Sequence, residues 1–145
     1  MSQDLEREEF VRNFATALSD AIASGEILPG TQNIIEYTTD DLYGRRCQIP
    51  AGTIAQTYVH RTDHISICLK GTVILVDQNG VRTEVSAPDV FITRKGTQRF
   101  LLAATDVDFL TVHYHPNADL SNIENDLGCR TMAEYNHLIS HEVKP

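Results

Sequence analysis

The stretch Val73-Ile74-Leu75-Val76-Asp77-Gln78-Asn79-Gly80-Val81-Arg82-Thr83-Glu84-Val85 decides the fold class. A β-branched and aliphatic run enters Asn-Gly, and Val81, Thr83 and Val85 alternate with charged residues on the way out. Asn79-Gly80 supplies the positive φ angles that a tight primed turn requires, so this stretch reads as an antiparallel hairpin. The same signature recurs on both sides of it. Short β-branched runs separated by turn residues predict strands at 34–38, 45–49, 54–60, 65–69, 72–77, 81–86, 90–93, 98–103 and 109–114. Many short strands at this spacing predict an antiparallel sandwich or barrel.

The flanks carry a different period. Residues 1–24 contain no Pro or Gly and place Phe10, Phe14, Leu18 and Ile22 four apart, with Val11, Ala15 and Ala21 beside them. That is one apolar stripe of a helix, ended by Gly25 and Leu28-Pro29-Gly30. Such a helix can dock on its own barrel or on a neighbouring subunit. After His115-Pro116 helix signals return. Ser121 with Glu124, and Thr131 with Glu134, each have the S/T-x-x-E capping arrangement. The second pair predicts a helix to about Ser140 with Met132, Tyr135, Leu138 and Ile139 on one side. The expected organisation is therefore a helix and connector over 1–30, a β-barrel over 31–116 and a helical extension over 117–145.

Composition narrows the functional classes. The chain has 145 residues, 12 Lys plus Arg against 20 Asp plus Glu, and a formal charge of −8. That length suits one domain, which buries about two thirds of its unfolded surface without needing disulfides. An acidic balance argues against neutralising phosphates, so no nucleic-acid partner is expected. No apolar run approaches the roughly 18 residues of a membrane span, and no membrane association is expected. Met1-Ser2-Gln3-Asp4-Leu5-Glu6 lacks the basic and apolar regions of a signal peptide, which predicts a cytoplasmic location. Cys47, Cys68 and Cys129 are odd in number and lack CxxC spacing, and read as reduced packing residues.

Chemistry concentrates between Ile49 and Gly71. Ile49-Pro50-Ala51-Gly52-Thr53 precedes Tyr58-Val59-His60-Arg61-Thr62-Asp63-His64, and Ile65-Ser66-Ile67-Cys68-Leu69-Lys70-Gly71 follows. Two His therefore flank a turn, each joined to a strand, with a glycine seven residues after the second. This segment resembles the first motif of the cupin family, which reads G, five residues, HxH, three or four residues, E, six residues, G. Aligned on Gly71, His60 takes the second His place, His64 the Glu place and Tyr58 the first His place. Pro88-Asp89-Val90-Phe91-Ile92-Thr93-Arg94-Lys95-Gly96-Thr97-Gln98-Arg99 looks like the second motif, G, five residues, PxG, two residues, H. Gly96 is kept there, with Arg94 in the proline place and Arg99 in the histidine place.

A hairpin of 98–103 with 109–114 would set Arg99 opposite His113, on one sheet face. His113 then fills the space of the missing motif histidine. The expectation is a cavity lined by His60, His64 and His113 as ligands of a divalent transition metal, Zn, Fe, Ni or Mn, with Arg99 and Tyr58 as ligand-binding residues. Arg99, fork-shaped and always charged, suits a carboxylate or phosphate. The competing reading makes His60 and His64 polar residues bracketing a turn and pairs Arg99 with Asp63 or Asp89. His115 is expected at an edge, His137 and His141 in solvent, and Arg45-Arg46 and Arg94-Lys95 as surface charge.

The resemblance spans Cys47 to Tyr114, about half the chain. It implies a mainly β fold, a cupin-type antiparallel β-barrel (jelly roll), with helices at both ends. Within it, H-x-x-x-H, the Gly71 G-T-V segment, Ala87-Pro88, G-T-x-R at Gly96 to Arg99, T-V-H at Thr111 to His113 and the later Ile123-Glu124 also resemble a group of small cupin-like proteins encoded by tailed bacteriophages. That implies a binding or phage-associated accessory and assembly module, a homo-oligomer with phage structural proteins as partners, in the host cytoplasm or the virion. Cupins also include dioxygenases, isomerases and epimerases, so fold does not choose an activity. The alternative is a metal-dependent isomerase, lyase or oxygenase using the same site.

Overall fold

A computed structural model describes residues 32–116 and 119–142, together with Leu5, Glu9, Arg12, Asn13, Thr16 and Ser24. The predicted N-terminal stripe falls outside the described residues. The strands are β1 (Asn33–Thr38), β2 (Leu42–Ile49), β3 (Ile54–Gln56), β4 (Val59–His60), β5 (His64–Lys70), β6 (Thr72–Asp77), β7 (Arg82–Ser86), β8 (Asp89–Thr93), β9 (Arg99–Ala103) and β10 (Val107–Tyr114). Helix α1 (Ile123–Leu127), strand β11 (Gly128–Cys129) and helix α2 (Met132–Glu142) follow. Among the described residues no helix is long and apolar enough to cross a membrane.

The strands form two facing antiparallel sheets, ordered β1-β2-β10-β5-β8 and β3-β9-β6-β7, with a short β11-β4 ladder beside them. Among the described residues no ladder joins the two large sheets, so the expected barrel is a jelly-roll sandwich rather than a closed barrel. Between the sheets lie Ile49, Cys68, Val73, Leu75, Val85, Ala103, Val107 and Phe109, the main core. No disulfide joins the three cysteines, and Cys68 is fully buried, as a packing role requires.

Gly71 makes the step from β5 in one sheet to β6 in the other. It holds φ 82°, and a Cβ there would collide with the Asp106 carbonyl oxygen. Any side chain would thus meet both left-handed strain and a backbone clash. This is the glycine that aligned the histidine segment.

Four sequence expectations need correction. The 73–85 hairpin forms, but its loop has three residues. The Gly80 N–H donates to the Asp77 carbonyl at 3.0 Å, and Gly80 then takes φ 79°. That is a type I turn followed by a left-handed residue. Asp77 favours it because its Oδ1 accepts from the N–H groups of Asn79 (2.8 Å) and Val81 (3.0 Å). The expected strand 54–60 splits into β3 and β4, because the Thr57 N–H turns to the Arg99 carbonyl and the His60 N–H to the Thr97 carbonyl.

The expected hairpin of 98–103 with 109–114 does not form. β9 pairs with β3 and β6, whereas β10 pairs with β2 and β5 in the other sheet. The loop between them crosses from sheet to sheet, and proximity in sequence gave no signal of that. Finally, Ser121 does not cap a helix: Asp119 accepts its N–H at 2.9 Å and starts a 3-10 turn, Leu120–Asn122, instead. Thr131 does cap α2, accepting the Glu134 N–H at 3.1 Å. Met132 and Tyr135 of α2 are buried against Val59, and Tyr135 lies over Gly96, where φ is 81°.

Candidate metal and anion site

Antiparallel register sorts the inner face of the five-stranded sheet into layers, because opposed residues share a face. At the open end Tyr43 lies opposite His113 and His64 opposite Thr93. All four are buried. In the next layer Arg45, Thr111, Ser66 and Phe91 follow one another across β2, β10, β5 and β8. Deeper still, Cys47 faces Phe109 and Phe109 faces Cys68. Polarity therefore falls from the mouth to the floor. The opposite sheet contributes Arg99 near the mouth, then Leu101 between Leu75 and Ala55. These walls enclose a cavity of about 290 Å³.

Three histidines meet in it. The ring centroids of His60 and His64 are 4.6 Å apart, and those of His64 and His113 are 4.2 Å apart. Their placement is fixed locally. Asp63, in the turn between β4 and β5, accepts the Lys95 N–H at 2.8 Å, and the His60 carbonyl accepts the Gly96 N–H at 2.7 Å. The Thr62 carbonyl, an acceptor only, lies 3.2 Å from His64 Nδ1. His64 Nδ1 therefore carries the proton, and its Nε2 presents a lone pair. His113 Nε2 is 2.9 Å from Thr111 Oγ1, while its Nδ1 is buried with no hydrogen-bond partner among the described residues.

Burial, followed by repulsion from His64, pushes His60 and His113 down to about 3. His64 is lowered too, chiefly by burial. All three are neutral at pH 7, the form that ligates metals. Among the described residues no group of three or more His, Cys, Asp or Glu is arranged to hold a metal ion as it stands. The donor chemistry nonetheless fits such an ion, and the orphaned His113 Nδ1 is the atom that has most need of one.

Arg99 donates from Nη1 to Thr93 Oγ1 at 3.0 Å, and its guanidinium carbon lies 5.6 Å from the Phe91 ring centroid. The suggested partners are engaged elsewhere: Asp63 with Lys95 and Arg94, Asp89 with the Val90 N–H. Among the described residues Arg99 has no ion pair, which removes the competing reading for this residue.

Tyr58 stands at the rim, its hydroxyl 3.3 Å from Glu124 Oε2. Gly128 makes room for it, since a Cβ there would come within 2.7 Å of the Tyr58 Cβ. Glu124 also lies 3.7 Å from Arg45 Nη1. Sequence reasoning missed Glu124 and Arg45 as cavity residues. Glu124 was visible as half of a capping pair that does not form and as part of the Ile123-Glu124 resemblance, neither of which places it at a cavity. Arg45 was read as surface charge, yet its position two residues after Tyr43 on one strand turns it inward. Arg46 does face outward, donating from Nε to Asp108 Oδ1 at 2.8 Å. Arg94 is exposed as expected. His115 is held at the edge by Asp126, 2.9 Å away, and His137 is exposed. The His141 side chain lies outside the described residues.

No protein-family model matches the chain, and no curated protein matches it. Solved structures do. Ectoine synthase from P. lautus superposes with a TM-score of 0.56 at 14% identity, covering 68% of this chain and 73% of that one. A putative ethanolamine utilization protein Q from Salmonella typhimurium gives 0.53 at 20% identity, over 63% of this chain and 74% of that one. A cupin superfamily protein from Desulfitobacterium hafniense gives 0.52 at 9% identity, over 59% and 79%.

The fold is a cupin-type jelly roll. At these identities the likeness concerns the fold alone, and what a cupin-type sandwich does is read from its site.

Proposed function

We propose that the protein is a binding module whose cavity holds one divalent transition metal, Zn, Fe, Ni or Mn, on His60, His64 and His113, with a small anion on Arg99. The observation that carries this reading is the buried, unpartnered His113 Nδ1 beside two further neutral imidazoles. A bound ion would supply Lewis acidity toward an oxygen of the ligand. The chain's own residues do the rest. Arg99 orients the anion, Thr62 fixes the His64 tautomer, and the apolar floor excludes water.

Elemental analysis of protein purified without a His tag tests the metal. About one equivalent per chain is expected, falling on His60→Ala, as for a three-histidine site. Less than about a tenth of an equivalent, unchanged by that substitution, overturns it.

The enzymatic alternative, an isomerase, lyase or oxygenase, is favoured by Glu124, a carboxylate at the rim beside Tyr58 that could serve as acid or base. NMR of a retained ligand incubated with metal-loaded protein tests it: a new product supports an enzyme, and unchanged ligand supports the binding module. Homo-oligomer formation is proposed through the outer face of the five-stranded sheet, where Ile65, Ile92 and Val90 are exposed. A phage-associated assembly role, with phage structural proteins as partners, rests on the motif resemblance alone.

A further inference from the structure

Arg99 leaves the cavity with an unbalanced charge. A guanidinium has five N–H donors, and one bond to Thr93 together with the Phe91 ring satisfies few of them. The group is half-buried, and burial lowers its affinity for its proton; Asp77, its cross-strand neighbour on β6, opposes this without forming an ion pair, its Oδ1 accepting from the Asn79 and Val81 N–H groups. A half-desolvated cation without a direct ion-pair partner is unfavourable. The cavity's acid does not supply one, because Glu124 engages Arg45 and Tyr58. Its hydroxyls are also committed: Ser66 bonds Thr93 at 2.7 Å, Thr111 bonds His113, and Tyr43 donates to Glu36 at 2.7 Å.

What lies beyond Arg99 limits the anion. The next inward residue on β9 is Leu101, and the floor is Leu75, Ile49, Cys47 and Phe109. A multiply charged or fully hydrated ion would leave oxygens against this floor without donors. A single carboxylate matches one guanidinium fork, and an apolar tail matches the floor.

We propose that the cavity takes a small monocarboxylate with an apolar tail, its carboxylate on Arg99 and its tail between Leu75, Leu101 and Phe109. This rests on reading the cavity as an anion site, and it is independent of the metal.

Calorimetric titration of the full chain tests it, both as purified and after chelation. The probes are acetate, hexanoate, benzoate, 1-hexanol and inorganic phosphate. Hexanoate and benzoate should bind roughly tenfold or more tighter than acetate, because they bury more apolar surface. Phosphate should bind more weakly than either. Arg99→Gln should reduce hexanoate binding at least about tenfold and leave 1-hexanol unaffected, since only the former uses the fork. Leu101→Ser, a second variant away from the charge, should narrow the gap between hexanoate and acetate.

Tightest binding by phosphate, equal binding of acetate and hexanoate, or 1-hexanol matching hexanoate would each overturn the proposal, as would no binding at all. Carboxylate binding without metal in the elemental analysis removes only the metal. Metal without carboxylate binding removes only this inference.

Discussion

The five-stranded sheet has two faces built from the same strands, and they differ in what they do with apolar side chains. On the inner face polarity is graded, from Tyr43, His113, His64 and Thr93 at the mouth to Cys47, Phe109 and Cys68 at the floor. The outer face is mostly apolar across its middle, with Arg46, paired to Asp108, as the charged exception. One row runs Tyr37, Gly44, Val112, Ile65, Ile92, and the next runs Ile35, Arg46, Leu110, Ile67, Val90. Val90 is 64% exposed and Ile92 54%. One-residue alternation puts a site and a sticky surface on opposite sides of one layer. The inner side chains have their partners in the facing sheet; the outer ones offer a flat surface of the kind that sheets use to pack on one another.

The contrast can be broken most severely at the floor. Phe109→Ala should cost about 3–5 kcal/mol in urea unfolding, because it removes a large side chain from between the sheets. A loss below about 1 kcal/mol would mean that the floor is not close-packed.

Acid should expose the mouth next. The His60 and His113 pKa values are depressed, so unfolding takes up protons: their contribution is full above about 6.5 and is lost as pH falls toward about 3. In chelated protein, the unfolding free energy from urea titration should drop between pH 7 and pH 5, by on the order of 2 kcal/mol for each ring. His113→Gln should flatten that slope. An unchanged slope would mean that the rings are hydrated.

Away from both faces, Thr131→Ala removes the α2 cap and should cost about 1 kcal/mol by thermal unfolding. A larger loss would mean that α2 props the cavity as well as covering Val59. The smallest effect belongs to the outer face, where Val90→Ala should stay within about 0.5 kcal/mol. Ile92→Lys sharpens the point, since light scattering should show a smaller assembly at unchanged stability. A stability loss from Val90→Ala comparable to that of Phe109→Ala would show that the outer face is covered within one chain.

Strand positions were legible because alternation and turn residues are local signals. The observed strands lie close to the expected ones, and Gly71 and Gly96, the glycines on which the two motifs align, both hold positive φ angles. The meeting of His60, His64 and His113 was legible too, although the route to it was wrong. His113 reaches the cavity through the register of β10 with β2 and β5, and Arg99 enters from the facing sheet. Which strands share a sheet is a long-range property that no local pattern carries. For the same reason Glu124 was invisible as a cavity residue. It sits 64 positions after His60 in sequence, and only the folded segment α1–β11 brings it to the rim.

That rim has a kinetic consequence. The walls of the cavity are held by long ladders, whereas the rim segment α1–β11 joins through the two-residue β11–β4 ladder and side-chain bonds. Arg61 bonds the Leu127 carbonyl at 2.9 Å and the Asn125 carbonyl at 2.7 Å, and Gly128 and Cys129 pair with His60 and Val59. Segments tied by few bonds open far more often than the core does. For the occupant proposed above, the sheets would then set how tightly it is held, and opening of the α1–β11 strap how long it stays.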